Sequence, residues 1–281
     1  MYGKTITTFI PNTEESSVVI KTVSNSIIRA VGLPRNLIEK YKDRIDLKRA
    51  CLYFLFGNDE KTLEPSVYIG EAGNAFERLQ RHENSAKFEW SHALVISSST
   101  EGQLLSTATK YLENHSYMVA KTIGRYKVYN SVTPPKPMVP ESLEASLLES
   151  FEIIRLVMEE SGYNLFKPLI EIDSKLLYIN RKGIKATGEY TSEGFVVLRG
   201  SEASIEIKPC LYHSIVLLRE KLLETGVMIR KEGIYVFEKD HLFPTPSSAA
   251  ETVLGVVASG WTEWKDEGGR TLKVLWKNGD K

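Results

Sequence analysis

The chain has 281 residues, with 36 Lys and Arg against 36 Asp and Glu, and so no formal net charge. Its length argues for two domains, and the zero balance leaves room for nucleic acid only at a local basic patch. Cys51 and Cys210 stand in separate regions and the five histidines are scattered, which excludes a disulfide framework and a structural zinc site.

No basic segment with a following apolar run opens the chain, and no apolar stretch approaches a membrane span. A cytoplasmic protein without a membrane partner is expected.

Residues 1–49 read as a small extension packed on the next domain. SVVIKTV alternates like a strand, and RNLIEKYKDRIDL has helical spacing through Leu37, Ile38, Tyr41 and Ile45. Residues 50–132 form the unit around which the chain is organised. ACLYFLFG is a strand with Cys51, Tyr53 and Leu55 on one face and Leu52, Phe54 and Phe56 on the other. SVYIGEAG is a second strand, with Val67 and Ile69 opposed to Tyr68. The two tyrosines then share one side of a hairpin, although each alone would suit cross-strand packing.

Asn74 with Glu77 makes a capping box that opens a helix carrying Arg78 and His82 one turn apart. That pair suits an anion, while a solvated arginine and a helix-terminal histidine are the plainer alternative. WSHALVIS is a third strand. A helix over about 104–120 is expected to bury Leu105, Ala108, Leu112 and Val119, with Glu113 at the edge of its apolar stripe. GRYKVYN ends on Asn130.

Residues 133–182 hold a stiff connector with Pro134, Pro135, Pro137 and Pro140, then an amphipathic acidic helix over 142–160. Its spacing would serve a homo-oligomer seam, but too few heptads favour a core-facing role. Residues 183–281 alternate short strands with Gly and Ser turns and read as a second small α+β domain. Ser248 and Glu251 suggest another capping box, and SGWTEWKDEGGRTLKVLW suggests a hairpin carrying Trp261, Trp264 and Trp276.

The ordered set Cys51-Leu52-Tyr53, Tyr68-Ile69-Gly70, Arg78, His82, Glu113 and Asn130 resembles the GIY-YIG nuclease family, with Arg78 ten residues after Tyr68 and His82 four further on. The flank before Tyr53 and the segment FPTPSSAAETVLGVVASGWTEWK resemble a branch fused to a C-terminal domain of unknown function. Departures are Cys51 for the namesake glycine, Leu52 for isoleucine, His82 for tyrosine, Glu71 for lysine, and Ala108 for histidine.

The resemblance implies an α+β fold: a three-stranded, mostly antiparallel sheet flanked by helices, a linker helix and a second domain. It also implies a metal-dependent endonuclease acting on DNA. Glu113 would hold Mg²⁺ or Mn²⁺ with most of its waters. Tyr53 would be the general base, its phenol acidified by the metal or Arg78. Arg78 would bind the phosphate, Tyr68 and His82 would orient water or phosphate, and Asn130 would fix the site. Lys87, Lys110, Lys121, Arg125 and Lys127 are candidates for tracking the strand, with ordinary surface charge the plainer reading. Trp261 and Trp264 are candidates for stacking on bases, with completion of a small apolar core the simpler and favoured role. A catalytically weak or inactive module of this fold, binding nucleic acid or protein, is the alternative.

Overall fold

The computed structural model describes residues 3–59, 64–84, 89–99, 104–169 and 175–277. The fold is mixed α+β, in two compact units divided between Lys167 and Pro168.

The first unit contains β1 (Ile6–Phe9), β2 (Val19–Val23), β3 (Ile28–Pro34), β4 (Cys51–Asn58), β5 (Pro65–Ala72), α1 (Ala75–Asn84), β6 (Trp90–Ser98), α2 (Ser106–Ile123), β7 (Lys127–Val128) and α3 (Glu141–Glu160). Its sheet has seven strands among the described residues, in the order β1-β2-β3-β6-β4-β5-β7. Only the β5–β7 pairing is parallel.

Three strands were expected; of the four others, β1, β2 and β3 come from residues 1–49 and β7 from Lys127–Val128. β3 pairs with β6 over its whole length, so the extension is built into the sheet. Arg35–Leu47 is not one helix. It forms three single 3₁₀ turns, because Arg44 is extended at φ −67° and ψ 127° and Ile45 is 60% exposed while Ile38 and Leu47 are buried.

Side-chain alternation divides the core in two. Leu52, Phe54, Phe56, Val67 and Ile69 face α2 and α3, joined by Leu112, Phe151 and Ile154. Cys51, Tyr53 and Leu55 face the other way, against Ala75 and Leu79 of α1 and against Ile38 and Leu47. α2 buries Leu104 and not Leu105, which lies at the N-cap with its side chain in solvent. Gly124, at φ 69°, ends that helix in the left-handed conformation glycine accepts at no cost.

The proline-rich stretch lies inside the first unit and leads into α3. Leu147, Phe151, Ile154, Val157 and Met158 on α3 join the α2 side of the core, and buried Lys21 on β2 pairs with Glu160 at its end. The 142–160 segment thus faces its own core.

The second unit contains β8 (Leu177–Arg181), β9 (Ile184–Thr191), β10 (Gly194–Val197), β11 (Glu202–Ala203), α4 (His213–Glu224), β12 (Met228–Lys231), β13 (Ile234–Phe237), β14 (His241–Phe243), α5 (Pro246–Leu254), α6 (Gly260–Glu263) and α7 (Leu272–Lys277). Two antiparallel sheets, β14-β10-β9-β8 and β11-β13-β12, carry it. The cap of α5 is Thr245 with Ser248, not Ser248 with Glu251: Thr245 Oγ1 accepts from the Ser248 N–H at 3.1 Å, and Pro246 takes the first helical position. The tryptophan-rich end forms α6 and α7, not a hairpin. Ladder pairing between its two arms is limited to the Lys265–Thr271 bridge among the described residues. No helix of the described residues is long and apolar enough to cross a membrane.

Candidate active site

The hairpin register sets Tyr53 directly opposite Gly70. A Cβ at position 70 would stand 2.3 Å from the Tyr53 hydroxyl, so glycine is what lets the phenol lie across β5. Tyr68 stacks beside it, with ring centroids 6.2 Å apart. From α1, Arg78 Nε donates to the Tyr53 hydroxyl at 3.0 Å, and His82 Nε2 lies 2.9 Å from the same oxygen. The His82 ring meets Tyr68 edge-on at 4.7 Å. Asn74 positions this helix, accepting from the Glu77 N–H at 3.3 Å.

Tyr53 is fully buried. That burial raises its pKa, the Tyr68 phenol adds to the rise, and the Arg78 guanidinium offsets only part of it. Arg78 alone therefore does not acidify the phenol to the extent a free phenolate base would require.

The outer edge of β5 explains the other two residues. Hydrogen-bonding groups on this edge recur at every second residue. The Val67 carbonyl accepts from the Tyr129 N–H at 2.9 Å. Next along, the Ile69 N–H donates to Asn130 Oδ1 at 3.0 Å and its carbonyl accepts from Asn130 Nδ2 at 2.6 Å. One side-chain amide here does the work of a neighbouring strand. The Glu71 N–H then favours the ionised carboxylate of Glu113 on α2.

Half-buried Glu113 has its pKa pushed up to about 7, first by burial and then by the Glu71 carboxylate, while Arg78 and Lys110 pull it down. Thr109, one turn earlier on α2, places its hydroxyl 3.3 Å from Glu71 Oε2.

Tyr53, Tyr68, Arg78 and His82 thus make one polar cluster on one face of the sheet. Glu113 and Asn130 line the edge of β5, and the charge of Arg78 is felt by Glu113. Sequence reasoning took Glu71 only as a departure from the lysine of the family; here it is a second carboxylate beside Glu113. Its place directly after the Tyr68-Ile69-Gly70 tripeptide, with Thr109 and Glu113 four apart on a helix, is the signal that could have found it.

Among the described residues no group of three or more His, Cys, Asp or Glu is placed to hold a metal. Two carboxylates nonetheless suit Mg²⁺ or Mn²⁺, which keep several waters and take one or two acidic ligands. A divalent cation would also relieve the repulsion that holds Glu113 near pH 7.

Of the basic candidates, Lys110 is exposed on the Glu113 side of α2. Exposed Lys121 lies over the Tyr117 ring at 5.8 Å. Partly buried Arg125 follows α2. Lys127 pairs with buried Asp59 and sits 5.1 Å over Tyr129, so it is engaged within the fold. Lys87 lies outside the described residues.

Trp264 cannot stack on a base: it is fully buried, lies 4.3 Å from Phe195 and donates from Nε1 to the Pro246 carbonyl at 3.0 Å. Trp261 is half-buried and packs edge-on against Tyr190 at 5.5 Å and Trp276 at 6.0 Å.

No characterised protein and no solved structure matches the chain. The family comparison adds that residues 177–276, nearly all of the described second unit, match a domain of unknown function, DUF4357.

Proposed function

We propose that the first unit is a divalent-cation-dependent DNA endonuclease of the GIY-YIG type. The observation that carries this reading is the Tyr53 hydroxyl, held between a guanidinium at 3.0 Å and an imidazole at 2.9 Å next to an edge bearing Glu71 and Glu113. Phosphodiester hydrolysis needs a charge to neutralise the phosphate, a route for the water's proton and a ligand for a cation. The cluster contains each.

Glu113, with Glu71 beside it, would hold Mg²⁺ or Mn²⁺, which supplies Lewis acidity to the phosphate and the leaving oxygen. Arg78 is fixed through Nε on Tyr53, so its terminal nitrogens remain to meet non-bridging oxygens. A buried phenol with a raised pKa is a poor base by itself. Its hydrogen bond to His82 removes the difficulty: as Tyr53 takes a proton from the attacking water, it passes its own to His82 Nε2. No free phenolate forms, and the imidazole carries the charge. Asn130 serves by fixing the border of β5 on which Glu113 docks.

The alternative is a binding module that kept the fold. Complete burial of Tyr53 and the repulsive Glu71–Glu113 pair favour it. Incubation of the protein with supercoiled plasmid and Mg²⁺ or Mn²⁺, beside a Glu113→Ala control, decides the matter. Cutting by the native protein alone is the expected result. Cutting by neither points to the binding module, and cutting by both to a contaminant.

A further inference from the structure

We infer that the N-terminal extension carries a phosphate site of its own, formed by Arg29, Arg44 and Arg49, which grips the backbone of duplex DNA alongside the catalytic face. The inference rests on the nuclease reading for its ligand but on separate residues for its evidence.

The sheet register aligns the two regions. Val31 lies opposite Val95, and Val95 opposite Tyr53, so these three share a face. Arg29 is two residues before Val31 and therefore projects from the same face as Tyr53, one step along the strand. It lies opposite Ser97 on β6.

Around Arg29 the charge is unbalanced. Buried Asp46 accepts from Arg44 Nη2 on one oxygen at 2.5 Å, while its other oxygen lies 3.1 Å from Arg29 Nε as an ion pair without a hydrogen bond. Arg49 has no carboxylate among its described hydrogen bonds. Its NH1 donates to the carbonyls of Ser98 and Ser99 at 3.2 and 3.5 Å, at the end of the strand that carries Ser97. Two guanidiniums thus share one carboxylate, and a third lies at the end of the strand that Arg29 faces, in a chain whose total charge is zero.

The polar atoms are also incompletely satisfied. Nε of Arg44, Nε of Arg49 and the hydroxyl of fully buried Ser97 are shielded from solvent without a hydrogen-bond partner. Unsatisfied donors held among like charges are costly to maintain for packing alone. A phosphodiester, with two acceptor oxygens and one negative charge, answers the excess of charge at the partly exposed ends of these guanidiniums. Asp46 has a second effect in this arrangement: it orients two arginines while cancelling part of their attraction.

The test is binding of a fluorescein-labelled duplex of arbitrary sequence, followed by anisotropy in Ca²⁺ or EDTA so that turnover does not intervene. Arg49→Ala is expected to weaken binding about tenfold and to lower the slope of log K against log salt by about one. Arg49→Lys should restore much of it. Asp46→Asn leaves the shape intact and frees two guanidiniums, so it should tighten binding several-fold, a direction that damage to the fold cannot mimic. In EDTA, where no cation bridges protein and phosphate, the Arg49 and Asp46 effects should persist whether or not the native protein cuts, which separates this claim from the catalytic one. Native protein that does not bind the duplex, or unchanged binding in both Arg49→Ala and Asp46→Asn, overturns it.

Discussion

Tyr53 in the first unit and Trp264 in the second are both aromatic and both fully buried, yet their surroundings differ in kind. The indole lies against Phe195 and spends its one donor on a main-chain carbonyl, so its polar atom is satisfied. The phenol is enclosed by an arginine, a histidine and a second phenol, and the sheet edge beside it ends in two carboxylates. Enclosure of the first kind stabilises a core. Enclosure of the second kind keeps ionisable groups at hydrogen-bond distance away from bulk water, where their mutual influence is strongest. Depth of burial alone does not separate the two; the company of charged partners does.

The contrast can be broken first at Trp264. Trp264→Ala should cost the second unit about 3–5 kcal/mol, read from urea unfolding, and leave plasmid cutting per folded molecule unchanged. Tyr53→Phe should behave in the opposite way. It removes one hydroxyl, costs about 1 kcal/mol in stability, and should lower the cutting rate ~10²–10³-fold by severing the path to His82. Equal losses of stability in the two variants would erase the distinction.

The smallest effect is on pH. The Glu113 carboxyl keeps its proton to about pH 7 in the fold but releases it near 4.5 once unfolded. Between those values the native state binds more protons, so this group's contribution to stability is greatest below 4.5 and declines as pH climbs through 7. Cation binding needs the deprotonated form. The apparent affinity for Mn²⁺, measured by calorimetry, should therefore fall about tenfold per unit below pH 7 and level off above it. Glu113→Gln should flatten both profiles.

Much of the hairpin was legible because a period of two is a local property. The opposed faces of Cys51–Phe56 and the shared side of Tyr53 and Tyr68 follow from alternation, and Asn74 with Glu77 marked the start of α1. The seven-stranded sheet was not legible, since the β3–β6 pairing joins residues far apart in the chain and no short pattern announces it. Arg35–Leu47 misled through helical spacing that a single extended residue, Arg44, interrupts. The tryptophans left two readings open, because a residue suited to stacking on a base is equally suited to filling a core, and Trp264 takes the core role. Glu71 was visible but misjudged: its effect depends on α2 lying beside β5, which only tertiary structure supplies.

Asn130 has one more consequence. A border strand with open amide and carbonyl groups invites another polypeptide to add to it, and β7 covers only Ser66 and Val67 of β5. By occupying both main-chain groups of Ile69, the Asn130 amide closes the next position to a foreign strand. The residue expected only to brace the catalytic centre therefore also guards this protein against sticking to itself.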